Sequence, residues 1–167
     1  MLSQTERELV VRSWRLVVPI AETAADLFYR RLFELRPDLR QHFPEDMAGQ
    51  KKKLVQMLAF IVKAMDWPES AWDEDVTPDE DLFLVVLALG RRHTDLYNIP
   101  DESYGPVGEA LLWTLDYGIG KEFDAPLRSA WAKLYGLVAR VMKMGTRMIA
   151  AERDADSVPR AAGGGMS

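Results

Sequence analysis

The chain has 167 residues, a length that fits one domain better than two. Its 21 basic and 26 acidic residues give a formal net charge of −5, so the basic surface typical of nucleic-acid-binding proteins is not expected. Cysteine is absent, which excludes disulfides, thiolate metal sites and cysteine nucleophiles. The chain has two histidines, His42 and His93. A zinc site with two or three histidine ligands is therefore almost excluded, whereas a metal site with a single histidine ligand is not.

The sequence has the character of neither a membrane protein nor a secreted one. No apolar run approaches the roughly 20 residues that a membrane-spanning helix needs. Residues 1–8 are too polar to form the apolar segment of a secretory signal. We therefore expect a cytoplasmic protein that binds neither a membrane nor nucleic acid.

Helical patterns fill the first third of the chain. Residues 3–6 (SQTE) have the sequence of a capping box, which starts a helix. Apolar residues at helical spacing follow, namely Leu9, Val10, Trp14, Leu16 and Val17. Pro19 predicts the end of this helix and the first turn of a second one. Pro37 predicts a break, followed by a short helical turn up to Phe43.

Helical patterns also dominate the remainder of the chain. The predicted elements are a helix over 47–65, a polar connector over 67–75, and helices over 77–93, from 101 to the glycines at 118 and 120, and over 125–151. Residues 153–167 are rich in glycine and lack an apolar face, so we expect a disordered tail after one domain spanning residues 1–152. The predicted fold class is all-α, with six to seven helices around one core.

His93 is the residue with the most suggestive neighbours. Leu89 and Val86, four and seven residues earlier, fall on the same helical face. On spacing alone, a lone histidine on an apolar face is more often structural than a ligand, and both interpretations stay open. His42, beside Gln41, is expected to face solvent.

Several short motifs, in a fixed order, resemble those of bacterial single-domain haemoglobins and of the globin domain of flavohaemoglobins. They are residues 89–93 (LGRRH), 104–112 (YGPVGEALL) and 131–136 (WAKLYG). Upstream, Tyr29 with Phe28, Pro37 and Phe43 fall where those globins place them. The resemblance covers residues 3–148 and implies a globin fold around a haem pocket.

The resemblance implies haem b with His93 as the proximal iron ligand. Neutral imidazole suits iron, and one axial histidine leaves the opposite position open. Phe43 would stack on the porphyrin. The other implied haem contacts are Leu54, Leu58, Leu89, Val107 and Leu111 in the apolar wall, with Lys53 and Arg92 at the propionates. For Lys51 and Lys52 we expect a solvated face.

On the distal side the resemblance places Gln50, where animal globins commonly have histidine, and Tyr29, which matches a tyrosine of bacterial globins. Both side chains can donate a hydrogen bond to bound dioxygen. At about 1–1.5 kcal/mol per bond, two donors would slow dioxygen dissociation about ten- to a hundredfold relative to an apolar pocket. From the residues alone, Gln50 as a surface residue and Tyr29 as an ordinary core tyrosine remain open.

Tyr104 matches a tyrosine that, in flavohaemoglobins, joins a glutamate of the last helix in a network around the proximal histidine. Residues 136–151 of this chain contain no carboxylate, and the next one is Glu152. The missing glutamate favours simple ligand binding over peroxidase-like chemistry.

We therefore expect a globin that binds dioxygen reversibly, with NO and CO as further gaseous ligands, as a monomer or weak homodimer. Oxidation of NO to nitrate is an additional hypothesis, and it requires an external reductase. Two alternatives stay open. One is a haem-based gas sensor or redox relay, and the other is a haem-free globin-like interaction module in which His93 is structural.

Overall fold

The structure is a computed structural model that describes residues 2–66 and 101–157. Five α-helices lie in these ranges: α1 Gln4–Val17, α2 Ala21–Leu35, α3 Ala48–Met65, α4 Tyr104–Ile119 and α5 Ala125–Asp156. Short 3₁₀ helices occupy Val18–Ile20, Pro37–His42, Asp101–Ser103 and Gly120–Glu122. Within these two ranges there is no strand, and the predicted all-α class is confirmed. The predicted connector over 67–75 and helix over 77–93 lie outside the described residues.

The predicted capping box starts α1. Ser3 Oγ accepts from the Glu6 backbone N–H at 3.2 Å, and the Glu6 carboxylate accepts from the Ser3 backbone N–H at 2.8 Å. Glu6 also forms an ion pair with Lys133 of α5. The same glutamate therefore caps one helix and connects it to another.

One predicted core position of α1 is wrong. Val10, Trp14 and Val17 are buried, whereas Leu16 is 43% exposed. The buried three are spaced four and three residues apart and share one face of the helix. Leu16 lies two residues after Trp14, about 200° around the helix axis, and so points away from that face.

Pro19 joins α1 to α2 as predicted, within the 3₁₀ helix Val18–Ile20.

A buried polar contact connects α1 to α5. The Trp131 indole N–H donates to Ser13 Oγ at 3.0 Å, and the Ser13 hydroxyl donates to the Val10 carbonyl at 2.8 Å. Because every polar atom of this chain of bonds is satisfied, Trp131 can be buried at 1% exposure.

The helices enclose an internal space. Helix α2 packs most extensively against α4, while α3 contacts both α1 and α2, and α5 contacts α1 and α4. This arrangement leaves α2, α3, α4 and α5 facing one another across the cavity described below. The short helix Pro37–His42 leads from α2 to the corner that precedes α3.

The last helix is longer than predicted. Helix α5 continues to Asp156, past the predicted end at Ala151 and past the predicted start of the tail at Arg153. Residues 158–167 lie outside the described residues. In the described part of the chain, no helix is both long and apolar enough to cross a bilayer.

Candidate ligand-binding cavity

A largely apolar cavity lies between α2, α3, α4 and α5. Its enclosed space is about 90 Å³, and the free volume reaches about 840 Å³ when the open mouth is included. The polar lining residues are Tyr29, Gln50, Tyr104 and Tyr135, with Trp131 deep in the wall. The remaining lining residues are Phe28, Leu32, Phe43, Leu54, Met57, Leu58, Ile61, Val107, Leu111, Leu134, Val138 and Met142. Such a lining fits a large apolar ligand with a few directed polar contacts.

Tyr29 is the central polar group of this cavity. It is 5% exposed and sits in an aromatic cluster, with ring centroids 4.9 Å from Phe28, 6.0 Å from Phe33 and 5.6 Å from Phe43. Its side chain is hydrogen-bonded to Gln50, at the start of α3. Two elements that are separate in sequence, α2 and α3, thus bring the phenol and the amide together.

Burial raises the pKa of Tyr29 to about 12, and the hydrogen bond from the Gln50 amide partly opposes this rise. An amide N–H of Gln50 that donates to the phenolic oxygen accounts for this opposition. The Tyr29 hydroxyl is therefore neutral at physiological pH, and its hydrogen stays available to donate into the cavity.

The raised pKa predicts a loss of stability at alkaline pH. An unfolded tyrosine ionises near pH 10, whereas folded Tyr29 keeps its proton to about pH 12, so the folded state binds more protons between these values. The free energy of unfolding should therefore fall as pH rises through this window, with Tyr29 contributing about 2–3 kcal/mol of the fall. We expect the Tyr29→Phe variant to show a correspondingly shallower fall in urea titrations at pH 8, 10 and 12. An equal fall in both proteins would contradict the burial of the phenol.

Phe43 is fixed by its neighbour Arg40. The Arg40 guanidinium donates to the carbonyls of Phe43, Pro44 and Glu45 at 3.3, 2.9 and 3.1 Å. It also lies 5.5 Å from the centre of the Phe33 ring. The corner loop has few other partners for these carbonyls, so one arginine sets the direction in which the Phe43 ring enters the cavity wall.

A second polar group lies in the wall formed by α4 and α5. The Tyr135 hydroxyl donates to the Tyr104 backbone carbonyl. Tyr104 is 5% exposed, and the Lys143 ammonium lies 5.1 Å from the centre of its ring. Burial raises the pKa of Tyr135, so its hydroxyl is also neutral at physiological pH.

The structure brings most of the predicted site residues into this one cavity. They are Tyr29, Phe43, Gln50, Leu54, Leu58, Tyr104, Val107 and Leu111. Leu89, Arg92 and His93 lie outside the described residues. Gln50 lines the cavity, so the alternative of a plain surface residue is not supported.

The lysines and the second histidine lie elsewhere. Lys53 is exposed on α3 and does not line the cavity, so its contact with a propionate stays a prediction. Lys51 is partly exposed, and its ammonium pairs with the exposed Asp26 of α2 at 2.7 Å, an ion pair at the protein surface. His42 is exposed, as predicted.

Several cavity residues were not singled out for the site by sequence reasoning. They are Trp131, Leu134, Tyr135, Val138 and Met142 of α5 and Met57 and Ile61 of α3, whose helical spacing predicts only that they point inward. An apolar stripe looks the same in sequence whether it meets another helix or a cavity. Gly108 could have indicated the position of Tyr135, because a glycine inside a helix often marks a place where another side chain packs closely against the backbone.

The described lining fits the haem that the resemblance implies. The walls are apolar and aromatic, as a flat porphyrin requires, and Phe43 is held in place by Arg40. The buried Tyr29–Gln50 pair places a polar hydrogen-bond donor in an otherwise dry space. Nothing in this donor set conflicts with such a group.

Comparisons with known proteins agree with the fold. The Globin family profile matches residues 26–142. The neuroglobins of Chaenocephalus aceratus and Dissostichus mawsoni are each 32% identical over 149 residues, covering 86% of this chain and 92% of their own. One solved structure superposes on this chain with a TM-score of 0.70 at 21% identity. It is described as an engineered carbene transferase and as a candidate nitric oxide dioxygenase from Rhodothermus marinus. The superposition covers 92% of this chain and 99% of the Rhodothermus marinus chain. The chain belongs to the globin family.

Proposed function

We propose that this chain is a haem-b-binding globin of the bacterial single-domain type, with His93 as the iron ligand, that binds dioxygen reversibly. Globins typically bind haem and gaseous ligands, and this family membership is the starting point. The observation that carries the proposal is the buried Tyr29 hydroxyl, hydrogen-bonded to the half-buried Gln50, in an apolar cavity. We expect the protein in the cytoplasm, as a monomer or weak homodimer.

The apolar residues of the cavity would hold the haem, and Tyr29 would contact the gaseous ligand. Bound haem would supply an iron to which a diatomic gas can bind. Phe43, Leu54, Leu58, Val107 and Leu111 would hold the porphyrin and exclude water from the iron. Exclusion of water strengthens each hydrogen bond inside the cavity and slows oxidation of the iron.

Tyr29 would act on the gas itself. Gln50 donates to the phenolic oxygen, which orients the hydroxyl and leaves its hydrogen for a ligand with partial negative charge. Dioxygen acquires such charge on binding, whereas CO acquires less. The pair therefore favours dioxygen over CO, relative to a cavity without donors.

Oxidation of nitric oxide to nitrate is the second candidate activity. The same hydroxyl that holds dioxygen would keep it in place for attack by NO. Conversion of NO and dioxygen to nitrate consumes one further electron, which an external reductase would have to supply.

Haem titration of the purified chain tests the proposal. We expect saturation at about one haem per chain, a Soret band that shifts on reduction with dithionite, and a further shift with CO. Dioxygen dissociation and NO consumption, the latter with an added reductase, then separate reversible binding from oxidation. A chain that takes up no stoichiometric haem would instead support the interaction module.

A further inference from the structure

The first turn of α4 is weak by its own sequence. It contains Gly105 and is followed directly by Gly108, and glycine is about 1 kcal/mol less favourable than alanine in a helix. Ser103, at the N-cap, makes no side-chain capping bond to this turn. Yet the turn carries Tyr104 and Val107, both of which line the cavity. Something other than helix propensity must hold it in place.

Tyr135 of α5 supplies that support. Its hydroxyl donates to the Tyr104 carbonyl, and its ring lies directly against Gly108. The side chain therefore contacts both ends of a single helical turn and restricts the movement of that turn.

The two glycines differ in their need for a small residue. A Cβ at Gly108 would lie 2.4 Å from Cε1 of Tyr135, so only glycine leaves room for the ring. A Cβ at Gly105 would meet nothing within 4 Å. Gly108 therefore leaves the space that the Tyr135 ring occupies. Gly105 makes no comparable contact and only lowers the stability of the helix.

We propose that Tyr135 is a positioning residue, which holds the first turn of α4 and thereby sets how firmly the Tyr104 and Val107 side chains retain the bound haem. This inference rests on the proposed function. Tyr135 acts on the haem through the turn rather than through a polar contact of its own, because its hydroxyl hydrogen is already donated to the Tyr104 carbonyl.

The test begins with the Tyr135→Phe variant, which removes the hydrogen bond to the Tyr104 carbonyl and keeps the ring against Gly108. Hydrogen exchange of the Val107 and Gly108 amides should accelerate at least about tenfold, in the haem-free and haem-loaded protein alike. The rate of haem loss to an excess of apomyoglobin should rise at least about fivefold. Tyr117→Phe, at an exposed tyrosine of the same helix, should change neither rate.

Adding Gly105→Ala to the Tyr135→Phe variant distinguishes the mechanism. Alanine strengthens the turn without touching the cavity, so slow exchange and haem retention should both return to within about twofold of the original values. Recovery of exchange without recovery of haem retention would overturn the positioning role and indicate direct contact.

Unchanged exchange in Tyr135→Phe would overturn the proposal at its first step. Faster exchange with unchanged haem loss would overturn the link from the turn to the cavity. If the original chain binds no haem, the proposed function fails and the claim about haem retention fails with it, whereas the exchange measurement still decides whether Tyr135 holds the turn.

Discussion

Replacing His93 by alanine should abolish stoichiometric haem retention, while the same change at His42 should leave it intact. The chain has only these two histidines, and His42 is exposed at the end of a 3₁₀ helix, away from the cavity lining. If His93 is the iron ligand, its loss removes the one imidazole bond from protein to metal. The apolar contacts of the cavity then remain as the main attraction for haem.

The measurement is the haem content of both variants after gel filtration, with spectra before and after reduction. We expect less than about a tenth of the original haem in His93→Ala and nearly full content in His42→Ala. Added free imidazole should restore the spectrum of His93→Ala, because it can enter the space that the deleted side chain leaves. A His93→Ala protein that keeps its native spectrum without imidazole would refute the assignment of the ligand.

Local signals in the sequence predicted the elements that depend on neighbouring residues. The capping box at Ser3 and Glu6, the break at Pro19 and the start of α3 follow from short-range hydrogen bonds and backbone restrictions. The positions of Tyr29 and Gln50 came instead from a resemblance in motif order. Their meeting in one cavity depends on how α2 and α3 cross, which no local pattern contains.

The features that sequence reasoning missed all arise from contacts between distant parts of the fold. Tyr135 and Tyr104 are 31 residues apart and meet only because α4 and α5 pack together. The glycine at 108 predicts a close approach, but the sequence does not say to which side chain. Leu16 was placed on the wrong face because it is apolar, although about half or more of a folded protein's surface is contributed by apolar atoms.

Replacing Tyr29 by phenylalanine should speed dioxygen dissociation about five- to fifteenfold, the equivalent of one lost hydrogen bond of about 1–1.5 kcal/mol. The ring and its contacts with Phe28 and Phe43 remain, so the change removes the donor with little loss of packing. CO dissociation should change less, because CO carries less negative charge. Tyr117→Phe is the matched control, since its hydroxyl lies on the surface.

Gln50→Leu then tests whether the two polar groups act as one unit. The sequence alone suggests two independent donors to the ligand, but in the structure the Gln50 side chain is hydrogen-bonded to Tyr29. We therefore expect Gln50→Leu to speed dioxygen dissociation in the original protein and to have a clearly smaller effect when Tyr29 is already phenylalanine. Flash photolysis or stopped-flow measurements on the four proteins of this cycle give the coupling. Fully additive effects would show that Gln50 reaches the ligand directly, and an unchanged rate in Tyr29→Phe would remove the phenol from the distal site.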